Sequence, residues 1–143
     1  MIYPDNFEEK IGFSTIRSML QSYCLSPLGV TEVGAMQFSS DEAVVNAAHA
    51  QTDEYRLLLE QMPDFPLHHV FDVRECVRKA RISNAHLEEH DFFDLRRSLF
   101  TIHQVVGILH PDAPENRVGE ALYSLADGIA THPQLVQRID QVI

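Results

Sequence analysis

Two clusters in this sequence carry side chains of a type and spacing that could do chemistry. His86-Leu87-Glu88-Glu89-His90 spells H-x-x-E-H, the inverted zinc-peptidase order in which two histidines one helical turn apart hold the metal and the glutamate activates water. That chemistry needs both histidines inside one helix and a third ligand. Ser83 and Asn84 read as link and cap residues, which places His86 ahead of the helix, and no later segment offers a third ligand at a recognisable spacing. Read without a metal, Glu88, Glu89 and Asp91 are carboxylates at a helix start, where the positive end of the helix dipole favours them. His68-His69 lies in a loop without any ligand pattern.

The second cluster is Arg74-Glu-Cys-Val-Arg78-Lys79-Ala-Arg81, which holds four of the eleven basic residues in eight positions. Arg74, Arg78 and Arg81 recur at intervals of four and three, so one helical face carries them. Arg96 and Arg97 extend the set. Such a stripe can contact phosphates, pair with neighbouring carboxylates or meet another part of a larger protein. Absences narrow the chemistry further. The sequence contains no G-x-x-x-x-G-K-[ST] or G-x-G-x-x-G loop for a nucleotide and no G-x-S-x-G elbow, and neither Cys24 nor Cys76 carries a nucleophile pattern. No catalytic, cofactor-binding or metal-ligating residue is therefore assigned, and the chain by itself is expected to be no enzyme.

The elements that must position these residues read as helices throughout. From Leu87 to Leu109, Phe92, Leu95, Leu99, Ile102, Val106 and Leu109 repeat at three, four, three, four and three, the seam of a helix packed lengthwise. Its length would be about 30 Å, the width of a small domain. A second long helix is expected from a Ser39 cap, with Glu42 completing a capping box, to about Met62. Its seam of Val45, Ala48, Thr52, Tyr55, Leu59 and Met62 has the same spacing, which predicts that the two long helices pack side by side.

Shorter helices fill the rest. Asn6 with Glu9 should cap a helix carrying Phe7 and Ile11, and Ser14 should cap one on Phe13, Ile16, Leu20 and Tyr23 that ends near Cys24. Ser26-Pro27 is a cap followed by proline at the first helical position, and Gly34 should help end that helix. Pro63 and Pro66 bracket a loop, and Asp72 with Glu75 opens the basic helix through about Ala80. After a link at 81–86, possessing some extended character at Ile82, the long helix follows. The HPDAPENR loop then precedes a helix on Val118, Leu122, Leu125 and Ile129, and Pro133 starts one on Leu135, Ile139 and Val142. That last helix runs to Ile143 without glycine, asparagine or a basic final turn, the pattern expected of a fragment cut from a longer protein. The fold class is all-α, a helical bundle of two long packed helices and several shorter ones.

A chain of 143 residues fits one domain that buries about two-thirds of the surface its unfolded form exposes. The formal net charge of −10 repels phosphates and argues against a general nucleic-acid or membrane-surface binder. Two cysteines make no disulfide framework and read as small buried thiols. No apolar run reaches the ~18 residues of a membrane span, and MIYPDNFEEK has no signal-peptide core. A soluble protein in a reducing cytoplasm is expected.

Several stretches in order resemble a known family. These are Ile11-Gly12-Phe13-x-x-Ile16, Cys24-Leu25-Ser26-Pro27-Leu28-Gly29, Thr52-x-Glu54, Asp72-Val73-Arg74 with the basic run to Arg81-Ile82, and Leu87 leading into Phe92-Phe93-Asp94-Leu95-Arg96-Arg97-Ser98-Leu99. Together they resemble the start of the bacterial MutS paralogues of the second type, over nearly the whole chain. The order of the motifs, rather than any one of them, carries the likeness.

The resemblance implies the N-terminal helical core and lever region of a DNA-binding ATPase. In that family it precedes a clamp, a dimerising ATPase that uses ATP and magnesium, and often an Smr endonuclease domain, none of which lies in this chain. It also implies partners: the remaining domains of a longer homodimeric protein, and through them branched DNA or the ribosome. Phe7-x-Glu9 matches the wedge with which true MutS reads mismatches, but here the phenylalanine is expected to pack a helix and the glutamate to cap it. The competing readings are a stand-alone helical interaction module and a small zinc hydrolase on His86 and His90.

Overall fold

A computed structural model describes residues 6–110 and 119–142. They form eight helices: α1 (Phe7–Lys10), α2 (Phe13–Tyr23), α3 (Pro27–Ala35), α4 (Glu42–Gln61), α5 (Arg74–Ala80), α6 (Glu89–Leu109), α7 (Glu120–Ala126) and α8 (Pro133–Asp140). Among the described residues there is no strand, and the class is all-α as expected. The chain divides into two compact units, Met1–Phe38 and Ser39–Ile143.

In the first unit α2 packs on α1 and α3. Gly12, at φ 76°, reverses the chain after α1 and takes the N-cap place of α2, a left-handed conformation that costs glycine little. Its carbonyl accepts from Thr15 N at 3.1 Å, so α2 starts at Phe13 and Ser14 falls inside the first turn instead of capping it. Asn6 stands at the N-cap of α1, but its side chain makes no cap hydrogen bond and the box with Glu9 does not form. Ser26 does cap α3, its Oγ accepting from Gly29 N at 3.2 Å, with Pro27 in the first turn. That helix runs to Ala35, one residue past Gly34.

The face that α2 gives to its neighbours is not its apolar stripe. Phe13, Arg17 and Gln21 are its half-buried positions. Arg17 reaches both Glu8 oxygens, at 2.6 and 2.9 Å, and the Met36 carbonyl at 2.8 Å. Its guanidinium also sits 5.0 Å over the Phe13 ring, and Gln21 donates to the Val30 carbonyl at 3.3 Å. Ile16, Met19, Leu20 and Tyr23, spaced as one helical stripe, are exposed. No helical residue of this unit is buried.

The second unit has a true core. Leu58, at 0% exposure, clusters with Phe65, Leu109, Leu122 and Ala126, and Tyr55, Leu59, Met62, Val105 and Ile108 pack against them. The last turns of α4 and α6 therefore share one core. Along the rest of their length the two long helices are not close neighbours. The closer pairs are α4 with α7, and α6 with α8 and α7. The packing of the two long helices is thus confined to those last turns, and at mid-helix α6 meets a loop. The inner face of α6 at mid-helix is Ser98 and Thr101, buried at 4% and 5% exposure. Their hydroxyls hold loop backbone: Ser98 Oγ accepts from Phe71 N at 3.2 Å, and Thr101 Oγ1 donates to the His68 carbonyl at 3.1 Å. A polypeptide loop thus occupies a face where a second helix was expected.

Other boundaries follow from the stronger acceptor winning. Asp41, not Ser39, caps α4, its carboxylate taking Ala43 N at 2.9 Å and Val44 N at 3.4 Å, as an anion at a helix start should. Ser39 instead accepts from Asp41 N. α6 begins at Glu89, two residues later than Leu87, because Glu88 and Asp91 form the capping box and Asp91 accepts from Glu88 N at 3.0 Å. The start of α7 is held from a distance, Glu54 of α4 accepting from Ala121 N at 3.3 Å and Leu122 N at 2.8 Å. A Cβ at Gly119 would fall 2.1 Å from the Glu54 carboxylate, so only glycine leaves that clamp undisturbed.

In α8 the buried residues are Val136 and Ile139, while Leu135 is exposed; the helix ends at Asp140, and Val142, beyond it, is exposed as well. Helix α7 ends at Ala126, before Ile129. The expectations at Met1–Pro4, at residues 111–118 and at Ile143 lie outside the described residues. Both cysteines are free thiols; Cys76 is buried, and Cys24 is only half-buried.

Candidate functional site

The helix α5 brings three of the singled-out arginines together. It starts after Val73, and Asp72, one position further out, accepts from Arg74 N at 3.2 Å. With the chain so anchored, Val73, Arg74, Val77, Arg78 and Arg81 line a shallow groove of about 300 Å³. Two valines and three arginines thus share one surface.

Most of that positive charge is already engaged. Arg74 binds Asp72 in a two-pronged pair at 2.8 and 2.5 Å. The Arg74 hydrogen bonds hold the Asp72 carboxyl at about 2, well below its ordinary value, against a smaller opposing effect of burial. Arg78 pairs with Glu75 at 2.6 Å, both largely exposed. Lys79 turns to Asp91 at 3.3 Å. Arg81 makes no ion pair with a described residue. Exposed pairs are worth little, on the order of 0–1 kcal/mol, so an incoming anion could displace them. The groove's standing field is nevertheless weak.

Neither Arg96 nor Arg97 lines the groove. Arg96 forms a forked pair with Asp140 of α8, one contact at 3.2 Å, and its guanidinium lies 5.9 Å from the Phe100 ring. Asp140 is lowered, and Arg96 raised, by their mutual hydrogen bonds. Arg96 thus works inside the fold, tying α6 to α8. Arg97 is exposed and has no ion pair among the described residues.

The zinc-like stretch does not assemble. His86 precedes α6 and His90 lies in its first turn, so the two are not one helical turn apart on one face. His90 instead sits between Glu88 at 3.4 Å and Asp91 at 3.6 Å. Among the described residues no group of three or more histidine, cysteine or acidic side chains is placed to hold a metal. No helix there is long and apolar enough to cross a membrane.

Sequence reasoning missed an apolar groove of about 450 Å³ lined by residues including Tyr55, Phe65, Leu67, Val70, Val105 and Leu125. The signal that could have shown it is the dense apolar content of Phe65-Pro66-Leu67 and Val70 beside both long seams. Burial there pushes the Tyr55 phenol up. Ser98, Thr101 and Glu54 were missed as well. The first two are polar residues three apart on an otherwise apolar helix, which is the mark of a helix bonding to neighbouring backbone.

No family model matches this chain, and no solved structure does. The chain is similar to the endonuclease MutS2 of Geobacillus sp. (strain WCH70), 25% identical over 131 residues, which are 92% of this chain and 17% of that protein. It is also similar to the endonuclease MutS2 of Geobacillus kaustophilus (strain HTA426), 27% identical over 123 residues, 86% of this chain and 16% of that protein. Nearly the whole chain is thus similar to MutS2 endonucleases, of whose length it spans about one-sixth.

Proposed function

We propose that this chain is the N-terminal helical core and lever base of a longer MutS-like, DNA-binding ATPase, non-catalytic by itself. The observation that carries this reading is the similarity to MutS2 endonucleases across 92% of the chain. Two helices of 20 and 21 residues, joined through a common core at their last turns, suit a part that passes movement along its length. In this reading the ATPase with its ATP and magnesium, and an Smr endonuclease domain, belong to the remaining polypeptide. Its partners are those domains and, through a cytoplasmic homodimer, branched DNA or the ribosome. The biological setting is recombination control, repair or ribosome quality control. Arg74, Arg78 and Arg81 then form a contact to the remaining protein rather than a primary phosphate site.

Two measurements test this. Immunodetection in the source cell should find the chain within a polypeptide several times its size; a native product of 16.3 kDa would sink the proposal. Fluorescence anisotropy with a four-way DNA junction at moderate salt should show weak or no binding by the chain alone. Tight binding abolished by R74Q, R78Q and R81Q together would make the groove a nucleic-acid site instead. The second reading, a stand-alone helical interaction module, draws on the exposed apolar stripe of α2, and the size measurement separates the two.

A further inference from the structure

We propose that residues 68–86, with α5 at their centre, are a hinged arm that swings off α6 while the core around Leu58 stays closed. Phe65 belongs to that core and Leu67 packs against it, so the chain is anchored as far as there. From position 68 to position 80 Cys76 is the one buried side chain, and none of these residues joins the core. α5 also lacks the extended helix-to-helix packing that joins α4 with α7 and α6 with α8. The ties to α6 are polar at both ends. Thr101 Oγ1 donates to the His68 carbonyl at 3.1 Å, while Ser98 Oγ accepts from Phe71 N at 3.2 Å and donates to the His69 carbonyl at 3.4 Å. At the other end Lys79 meets the Asp91 carboxylate at 3.3 Å, and the Cys76 thiol donates to the Asp91 carbonyl at 3.8 Å. All of these contacts lie within Ser39–Ile143.

The backbone marks the hinges. Among the described residues two that are not glycine have positive φ, His69 at 65° and Asn84 at 63°. They stand on either side of α5. A residue with a side chain is held in that left-handed region at a cost, which the docked arm bears twice and the released arm does not. Besides Cys76, release uncovers the Ser98 and Thr101 hydroxyls, which water can satisfy as well as the loop does. Opening the core would instead bring Leu58, Phe65, Leu109 and Leu122 into water. The arm is thus the cheaper part to open, and it opens as a unit. Val73, Arg74, Val77, Arg78 and Arg81 all lie on it, so their groove moves as one piece and its position relative to α6 is adjustable.

Cys76 reports the opening, because its side chain is 7% exposed while the arm is docked. In the whole 143-residue chain carrying C24S, modification of Cys76 by N-ethylmaleimide, followed by mass spectrometry, should be slower than in the urea-unfolded chain. Its rate should stay nearly constant in urea up to about 1 M, since a local opening exposes little surface. S98A and T101V should each speed it about fivefold, and K79M about twofold. I139V, which removes one methylene from the buried face of α8, should leave it unchanged; opening by global unfolding would instead make it about fivefold faster. Circular dichroism checks the helices of each variant, and the urea dependence of the C24S chain decides the matter where a variant is misfolded. A modification rate that climbs with urea as steeply as global unfolding would overturn the proposal. So would a rate that neither hydroxyl variant changes, or a thiol that reacts as fast in the native chain as in the unfolded one.

Discussion

The two units of this chain reach definite structure by opposite means. In Ser39–Ile143, apolar side chains from α4, α6, α7 and the loop after α4 close around Leu58, and polar groups serve mainly to place backbone against that core. In Met1–Phe38 no helical residue is buried, and the fixed points are an arginine with three acceptor atoms, a glutamine on a carbonyl, a serine cap and the edge-to-face pair of Phe7 and Phe38. The hydrophobic effect is strong but carries no direction, while hydrogen bonds are weak in net terms and specify geometry. A unit too small to bury a core can therefore still be given one arrangement by polar latches. Its apolar residues are then left outside.

That contrast can be broken in several places. The largest effect is expected from L58A, which removes the most buried side chain and should cost about 2–5 kcal/mol in urea denaturation. Amide exchange in α2 and α3 should stay as in the parent chain, and joint loss of protection in both units would dissolve the contrast. Next comes S98A, which leaves the half-buried Phe71 N–H without its acceptor and should cost about 1 kcal/mol. It should also free the His69 backbone, held at a left-handed φ of 65°. An unchanged midpoint would show that the loop does not need the helix hydroxyl.

R17M keeps much of the bulk of Arg17 and removes its polar contacts. Hydrogen exchange should accelerate through 7–11 and 30–36 while residues around Leu58 keep their protection. Uniform exchange rates would show that the latch is dispensable. The smallest effect concerns acid. Asp72 is held at about 2 by Arg74, below the ordinary 3.8. Its contribution to stability is complete above pH 3.8 and is lost as pH falls through about 2, because the unfolded state takes up the proton first. Carbon-detected NMR titration should place the Asp72 midpoint near 2, and R74Q should bring it back toward 3.8. An unmoved midpoint would show that the pair is absent in solution.

Helix existence was legible in the sequence because periodicity reports which residues avoid water. The partner of each face was not. In α6 the apolar seam through Phe92, Leu99 and Val106 is real, yet the most buried mid-helix positions lie one residue earlier, at Ser98 and Thr101. Hydrophobic spacing has no means of marking a face that binds backbone. The α2 stripe was equally visible and equally misleading, since Arg17 and Gln21 outbid it for the inner side through bonds to residues up to 19 positions away. Caps were read in kind but displaced where a carboxylate stood near a hydroxyl, as at Asp41 beside Ser39. The arginine stripe followed directly from its spacing, because Arg74 and Arg78 lie on one short helix and Arg81 is its C-cap. Arg96 did not, because its partner Asp140 is 44 residues away.

The Glu54 clamp on α7 has a consequence for how this chain can vary. Two hydrogen bonds from α4 and a glycine with no room for a side chain fix where α7 begins. The start of α7 is thus set from α4 rather than by a cap of its own, so among relatives Glu54 should be retained wherever that glycine is.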